Sequence, residues 1–150
     1  MIKYRKLCLL LVISLFVMST VAAPLAEACT YKEGKKPKVD VKFKGWKKTS
    51  EGYRFTYEVQ SGAGNERIKF WTLYSKVFAK YNVISASESY TETGTYIKFT
   101  TGYSNNQKRT VWFVVGKGYK PIKLGQVCIS VKTQTSTKYF WRPGPSSPWK

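Results

Sequence analysis

The chain contains no histidine, and that absence removes more chemistry than any motif supplies. Without imidazole there is no Ser-His-Asp or Cys-His arrangement, no usual general base and no common zinc ligand. Acidic residues are also scarce, at 8 against 26 lysines and arginines. They are scattered, and no Asp-x-Asp-x-Asp-Gly loop is present to hold calcium. Gly62-Ala63-Gly64 lacks the Lys-Ser/Thr that a phosphate loop needs. No N-x-S/T glycosylation site, internal repeat or low-complexity block occurs. These absences argue against an enzyme and call for no metal or cofactor. A hydrolase working through carboxylates alone stays open, on Asp40, Glu51, Glu58, Glu66, Glu88 and Glu92.

What is present begins with a leader. Lys3, Arg5 and Lys6 precede an apolar run from Leu7 to Ala22, and Ala26-Glu27-Ala28 forms a small-x-small cleavage site before Cys29. This reads as a secretory signal peptide over residues 1–28, with an uncleaved anchor as the alternative. The apolar run is short for a membrane span and no second one follows, so the mature chain is expected to be secreted or held at the cell surface. Cys29 also sits where a lipid could be attached. Ala26 and Glu27 depart from the aliphatic and small residues of the usual lipidation signal, which favours a disulfide instead. Cys8 leaves with the leader, so Cys29 and Cys128 are the expected pair in an oxidising compartment.

Charge is the loudest feature of the composition. Loss of Lys3, Arg5, Lys6 and Glu27 leaves 23 basic residues against 7 acids, a net +16 for the mature chain. Lys32, Lys35, Lys36 and Lys38 lie on or beside an extended arm over residues 29–37, and Lys42, Lys44, Lys47 and Lys48 follow on the first strand and its turn. Such a field attracts anions, and for an exported protein an anionic surface polymer is the expected partner. Nucleic acid is disfavoured, because neither a recognition helix nor an aromatic reading motif accompanies the charge.

From Lys38 the pattern is that of strands. Val39, Val41 and Phe43 alternate with polar residues, as do Tyr53, Phe55, Tyr57 and Val59, then Thr95, Ile97 and Phe99, then Val111, Phe113 and Val115, then Val127, Ile129 and Val131. Tyr53 to Leu73 reads as a β-hairpin turning through Ser61-Gly62-Ala63-Gly64-Asn65, and it is the strongest structural expectation. Tyr74 to Ser85 reads as a short helix or crossover, Ala86 to Thr93 as a turn, and Tyr139-Phe140-Trp141 as a last strand before a Pro-rich tail over 143–150. Six to eight short strands at this spacing predict an antiparallel β-sandwich over residues 38–142, immunoglobulin-like in topology. On that fold Cys128 falls on an outer face, where a bridge would reach an arm lying outside the sheet.

Aromatic residues are the other surplus, at 16% of the chain. Exposed in a planar row they would stack sugar rings, and Trp46, Trp71, Trp112 and Trp141, with Tyr96 or Tyr139, are the candidates for such a carbohydrate platform. Most aromatics on strands are core, so exposure decides between the two roles.

The segment Phe55-Thr56-Tyr57-Glu58-Val59-Gln60-Ser61-Gly62 followed by Ile68-Lys69-Phe70-Trp71-Thr72-Leu73 resembles a pattern of exported bacterial and archaeal surface proteins, T-Y-x-V-x-S-G and then I-S-H-W-x-L. Val131-Lys132 and Gly144-Pro145-Ser146 resemble their V-K…G-P-S ending. Lys69-Phe70 replaces the Ser-His of that pattern, so no role of that pair carries over. The resemblance implies a surface β-sandwich and no activity. Three functions follow as expectations: a structural or adhesive protein with a basic face, self-assembling through strand addition by its arm; a carbohydrate-binding module; and the carboxylate hydrolase.

Overall fold

A computed structural model describes residues 38–121 and 124–146. The chain divides into two units, Met1–Tyr31 and Lys32–Lys150, and the described residues all belong to the second. The expected leader, the arm with Cys29, Lys32, Lys35 and Lys36, and the last four residues of the tail lie outside them. Among the described residues no helix is long and apolar enough to cross a membrane.

Among the described residues nine strands form two antiparallel sheets: β1 (Asp40–Lys48), β2 (Gly52–Gln60), β3 (Ile68–Tyr74), β4 (Val83–Ala86), β5 (Tyr90–Glu92), β6 (Tyr96–Phe99), β7 (Lys108–Gly116), β8 (Gly125–Thr133) and β9 (Thr137–Gly144). The first sheet has the order β1-β2-β7-β4 and the second β5-β6-β3-β8-β9. The expected all-β antiparallel sandwich is therefore the fold. Its strand number exceeds expectation because of two short edges, β4 and β5, in stretches with no clear alternation. The β5–β6 hairpin, added to the second sheet after β4 has joined the first, departs from the plain seven-strand plan of an immunoglobulin-like domain.

The expected hairpin from Tyr53 to Leu73 does not form. β2 pairs with β1 and β7, whereas β3 pairs with β6 and β8 in the other sheet. Between them Ser61 to Arg67 crosses the end of the sandwich through a 3-10 turn over Gly64–Glu66. The Gly62 and Ser61 backbones bond to Asn106 and Gln107, and the Ser61 hydroxyl accepts from the Ile68 amide at 3.1 Å. The reason lies in the two buried faces. Tyr57 of β2 and Trp71 of β3 are both fully buried and meet across the core with ring centroids 6.0 Å apart. Alternation marks a strand's buried face and leaves its partner open.

That core is aromatic. Trp71 stacks on Phe99 at 4.3 Å, and Tyr57 and Phe55 both stack on Phe113. The one polar atom that Tyr57 carries inward is satisfied by donation to the Pro143 carbonyl at 2.9 Å. β9 extends two residues past the expected end of the sandwich, since Pro143 and Gly144 still pair with Gln126 and Gly125. Proline is tolerated there because β9 is an edge strand.

Both open sides are closed by side chains. On one side Arg142 of β9 pairs with Asp40 at 3.0 Å and donates to the Val41 carbonyl of β1. On the other, Glu92 of β5 accepts from the Val83 amide at 2.9 Å and the Tyr90 hydroxyl donates to the Val83 carbonyl. A bulge in β1 at Gly45, where φ is +130°, shifts the register so that Trp46 falls opposite Phe55 at the rim of the inner face.

Candidate functional site

The register of the second sheet decides which side chains share its outer face. Trp71 and Leu73 of β3 point into the core, so Phe70, Thr72 and Tyr74 point out. Tyr74 lies opposite Tyr96 of β6 on one side and Cys128 of β8 on the other, and Cys128 lies opposite Trp141 of β9. One row across four adjacent strands therefore reads Tyr96, Tyr74, Cys128, Trp141. Tyr74 and Tyr96 meet edge to face at 5.8 Å. Trp141 stands two strands from Tyr74, about 10 Å away, and at 47% is among the most exposed large apolar side chains of the described fold.

The next row on the same face reads Thr91, Lys98, Thr72, Ser130, Tyr139. Ser130 and Thr72 are small and buried beneath their neighbours, which leaves a shallow floor between rings. Lys98 reaches over the Phe70 ring at 3.9 Å, a cation-π contact that holds its ammonium on the platform. Lys132, opposite Phe70, supplies a second cation. No strand residue that points outward from this sheet is a carboxylate: Glu92 of β5 turns to the Val83 amide.

The four predicted tryptophans do not come together. Trp71 is fully buried in the core. Trp46 sits on β1 of the first sheet, 41% exposed, with its ring 5.5 Å from Tyr53. Trp112 is on the outer face of the first sheet, covered by the Arg54 guanidinium at 4.0 Å. Of the four, Trp141 alone lies on the second sheet's outer face, with the predicted companions Tyr96 and Tyr139. Phe70, Tyr74, Lys98 and Lys132 are members that sequence reasoning missed. Their outward phase follows from Trp71 and Leu73 facing inward, and the β3 bulge between Ile68 and Phe70 hides it.

Of the predicted basic patch, the described members Lys38, Lys42, Lys44, Lys47 and Lys48 are all exposed. They run along β1 and its entry, an edge strand, instead of gathering into a pocket. Lys42 lies opposite Glu58 and Lys47 opposite Arg54. Glu58 also pairs with Lys108 at 3.6 Å, so the first sheet's outer charges are partly balanced. Cys128 is not a free thiol, and its expected partner Cys29 lies outside the described residues.

Most carboxylates of the described chain are tied down in structural contacts. Asp40 is held by Arg142, Glu58 by Lys108, Glu66 by Lys138, Glu88 by Arg109 and Glu92 by the Val83 amide. Among the described residues no group of three or more Cys, Asp or Glu side chains could hold a metal ion. Glu88 is the carboxylate whose environment moves it: burial raises its pKa, and the adjacent Arg109 opposes that rise without cancelling it.

No family model matches the chain. No curated protein matches either. Among solved structures, the chain is similar to a GH20 exo-β-N-acetylglucosaminidase from Vibrio harveyi, as an inactive mutant (TM-score 0.43, 14% identity) and in complex with N-acetylglucosamine (TM-score 0.42, 13% identity). Each likeness covers 75% of this chain and 19% of that one, so the chain spans about a fifth of the length of the proteins it matches.

Proposed function

We propose that the mature protein is an exported, non-enzymatic β-sandwich that adheres to polysaccharide through the outer face of its second sheet. The observation that carries this reading is the row Tyr96, Tyr74, Cys128, Trp141, three rings held at fixed strand spacings on one rigid face with the bonded Cys128 between Tyr74 and Trp141. An exposed ring such as Trp141 offers the apolar face of a sugar a large contact at little entropic cost, and the edge-to-face Tyr74–Tyr96 pair adds to that contact. Rigid strands hold such a platform more accurately than loops do. The leader supports export, and engagement of the carboxylates in structural pairs supports a binding role over hydrolysis.

Pull-down on insoluble glycans tests it. Binding is expected to persist in high salt and to weaken roughly tenfold or more in Trp141→Ala and Tyr74→Ala, as for an anchor residue at an interface. Binding that vanishes in high salt and ignores both substitutions would overturn the reading.

A second reading, adhesion by charge alone, rests on the exposed lysines of β1. It predicts attachment to any polyanion, lost as salt screens it. Self-assembly by strand addition has less support. The β1 edge is bulged, lysine-rich and clasped by Arg142, β9 carries Pro143, and β4 and β5 are short, all features that discourage edge pairing.

A further inference from the structure

Resting on the glycan reading, we infer that the ligand of this face is a polyanionic sugar chain, one bearing carboxylate or sulfate groups, and that Lys98 and Lys132 select it. The aromatic row and the two lysines are not mixed over the face. Tyr96, Tyr74 and Trp141 occupy one row, while Lys98 lies one row along and Lys132 one row beyond that, on β6 and β8. Successive outward rows on a strand are about 7 Å apart. A sugar chain laid across the strands on the ring row would thus have Lys98 about 7 Å to one side and Lys132 about 14 Å to the same side, within reach of a branched or wider chain.

Two further observations fix the sign. Every outward residue of this sheet is aromatic, hydroxylic, neutral or cationic, so nothing on it repels an anion. Lys98 is also held over the Phe70 ring, and among the described residues it pairs with no carboxylate. Cations left unbalanced beside a stacking platform contrast with the first sheet, where Glu58 answers Lys42 and Lys108.

Matched pairs of probes test the inference on the mature protein: polygalacturonate against its carboxyl-reduced neutral form, and dextran sulfate against dextran, read by affinity electrophoresis. The expected result is retention by at least one anionic member over its neutral partner. The double variant Lys98→Gln, Lys132→Gln should lose about threefold to tenfold of that preference, as two partly exposed charge pairs would contribute. The lysines are on the surface, so the variant is expected to fold, and an unchanged denaturation midpoint checks it.

The carboxylate and sulfate arms separate the two anion chemistries. Equal binding to both members of each pair, with Trp141→Ala reducing both, would overturn the anionic assignment and leave the glycan reading standing. Preference for the anion that survives the lysine change but not removal of the β1 lysines would overturn the assignment of this face. Retention by no probe at all would overturn the glycan reading together with the inference built on it.

Discussion

The two outer faces of the sandwich are built from the same kinds of residue and come out as opposites. On the first sheet Arg54 lies across Trp112, Lys108 meets Glu58 and Lys42 sits opposite that same carboxylate. Its ring is covered and its charges are partly answered by its own neighbours. On the second sheet Tyr74, Tyr96 and Trp141 share a row with Cys128, and Lys98 and Lys132 face no described carboxylate on that surface. A count of tryptophans and lysines treats the faces alike. The difference lies in which residues the register places side by side.

Substitutions at three tryptophans test that difference most directly. Trp71→Ala empties a fully buried site stacked on Phe99, and should lower unfolding free energy by about 3–5 kcal/mol, read as a shifted denaturant midpoint. Trp112→Ala removes the ring under Arg54 and should cost about 1 kcal/mol, with glycan binding unchanged. Trp141→Ala should change stability by no more than about 0.5 kcal/mol and weaken glycan binding roughly tenfold or more. If Trp112→Ala weakened glycan binding as much as Trp141→Ala, the two faces would not differ as described.

Much of the sandwich is legible in the sequence because a half-buried strand repeats its buried face every second residue. Val111, Phe113 and Val115 are buried in β7, and Val127, Ile129 and Val131 in β8, as their alternation predicts. Two things escape that signal. Pairing is one: the β2–β3 hairpin was expected because the strands are close in sequence, and instead they sit in opposed sheets with Tyr57 against Trp71. Register breaks are the other. Bulges at Gly45 and Lys69 reverse which side the following residues face, and the short edges β4 and β5 are bonded through Glu92 and Tyr90 side chains. The platform was legible only in pieces, as Trp141, Tyr96 and Tyr139. Its row draws on strands from Tyr74 to Trp141 and exists only once three pairings are known.

The contrast between the faces extends to pH, with the smallest expected effect. All described carboxylates lie off the second sheet's outer face, so pH should act on stability through the rest of the molecule. Glu88 is the group to watch. It sits where the chain crosses from β4 to β5, paired to Arg109 at 3.4 Å, with its other oxygen buried beside the Tyr103 hydroxyl. Burial raises its pKa above 4.5, the pull of Arg109 being the weaker influence. The folded chain therefore holds this proton to higher pH than the unfolded chain does. The contribution of Glu88 to stability is fully present below about pH 4.5 and declines as pH rises through the folded pKa. Glu88→Gln cannot titrate, so its stability relative to the parent should improve between pH 4 and pH 7, measured by denaturation at both. A relative stability that instead fell over that interval would mean that Arg109 dominates, and that the crossover is held by an ion pair and not weakened by a buried charge.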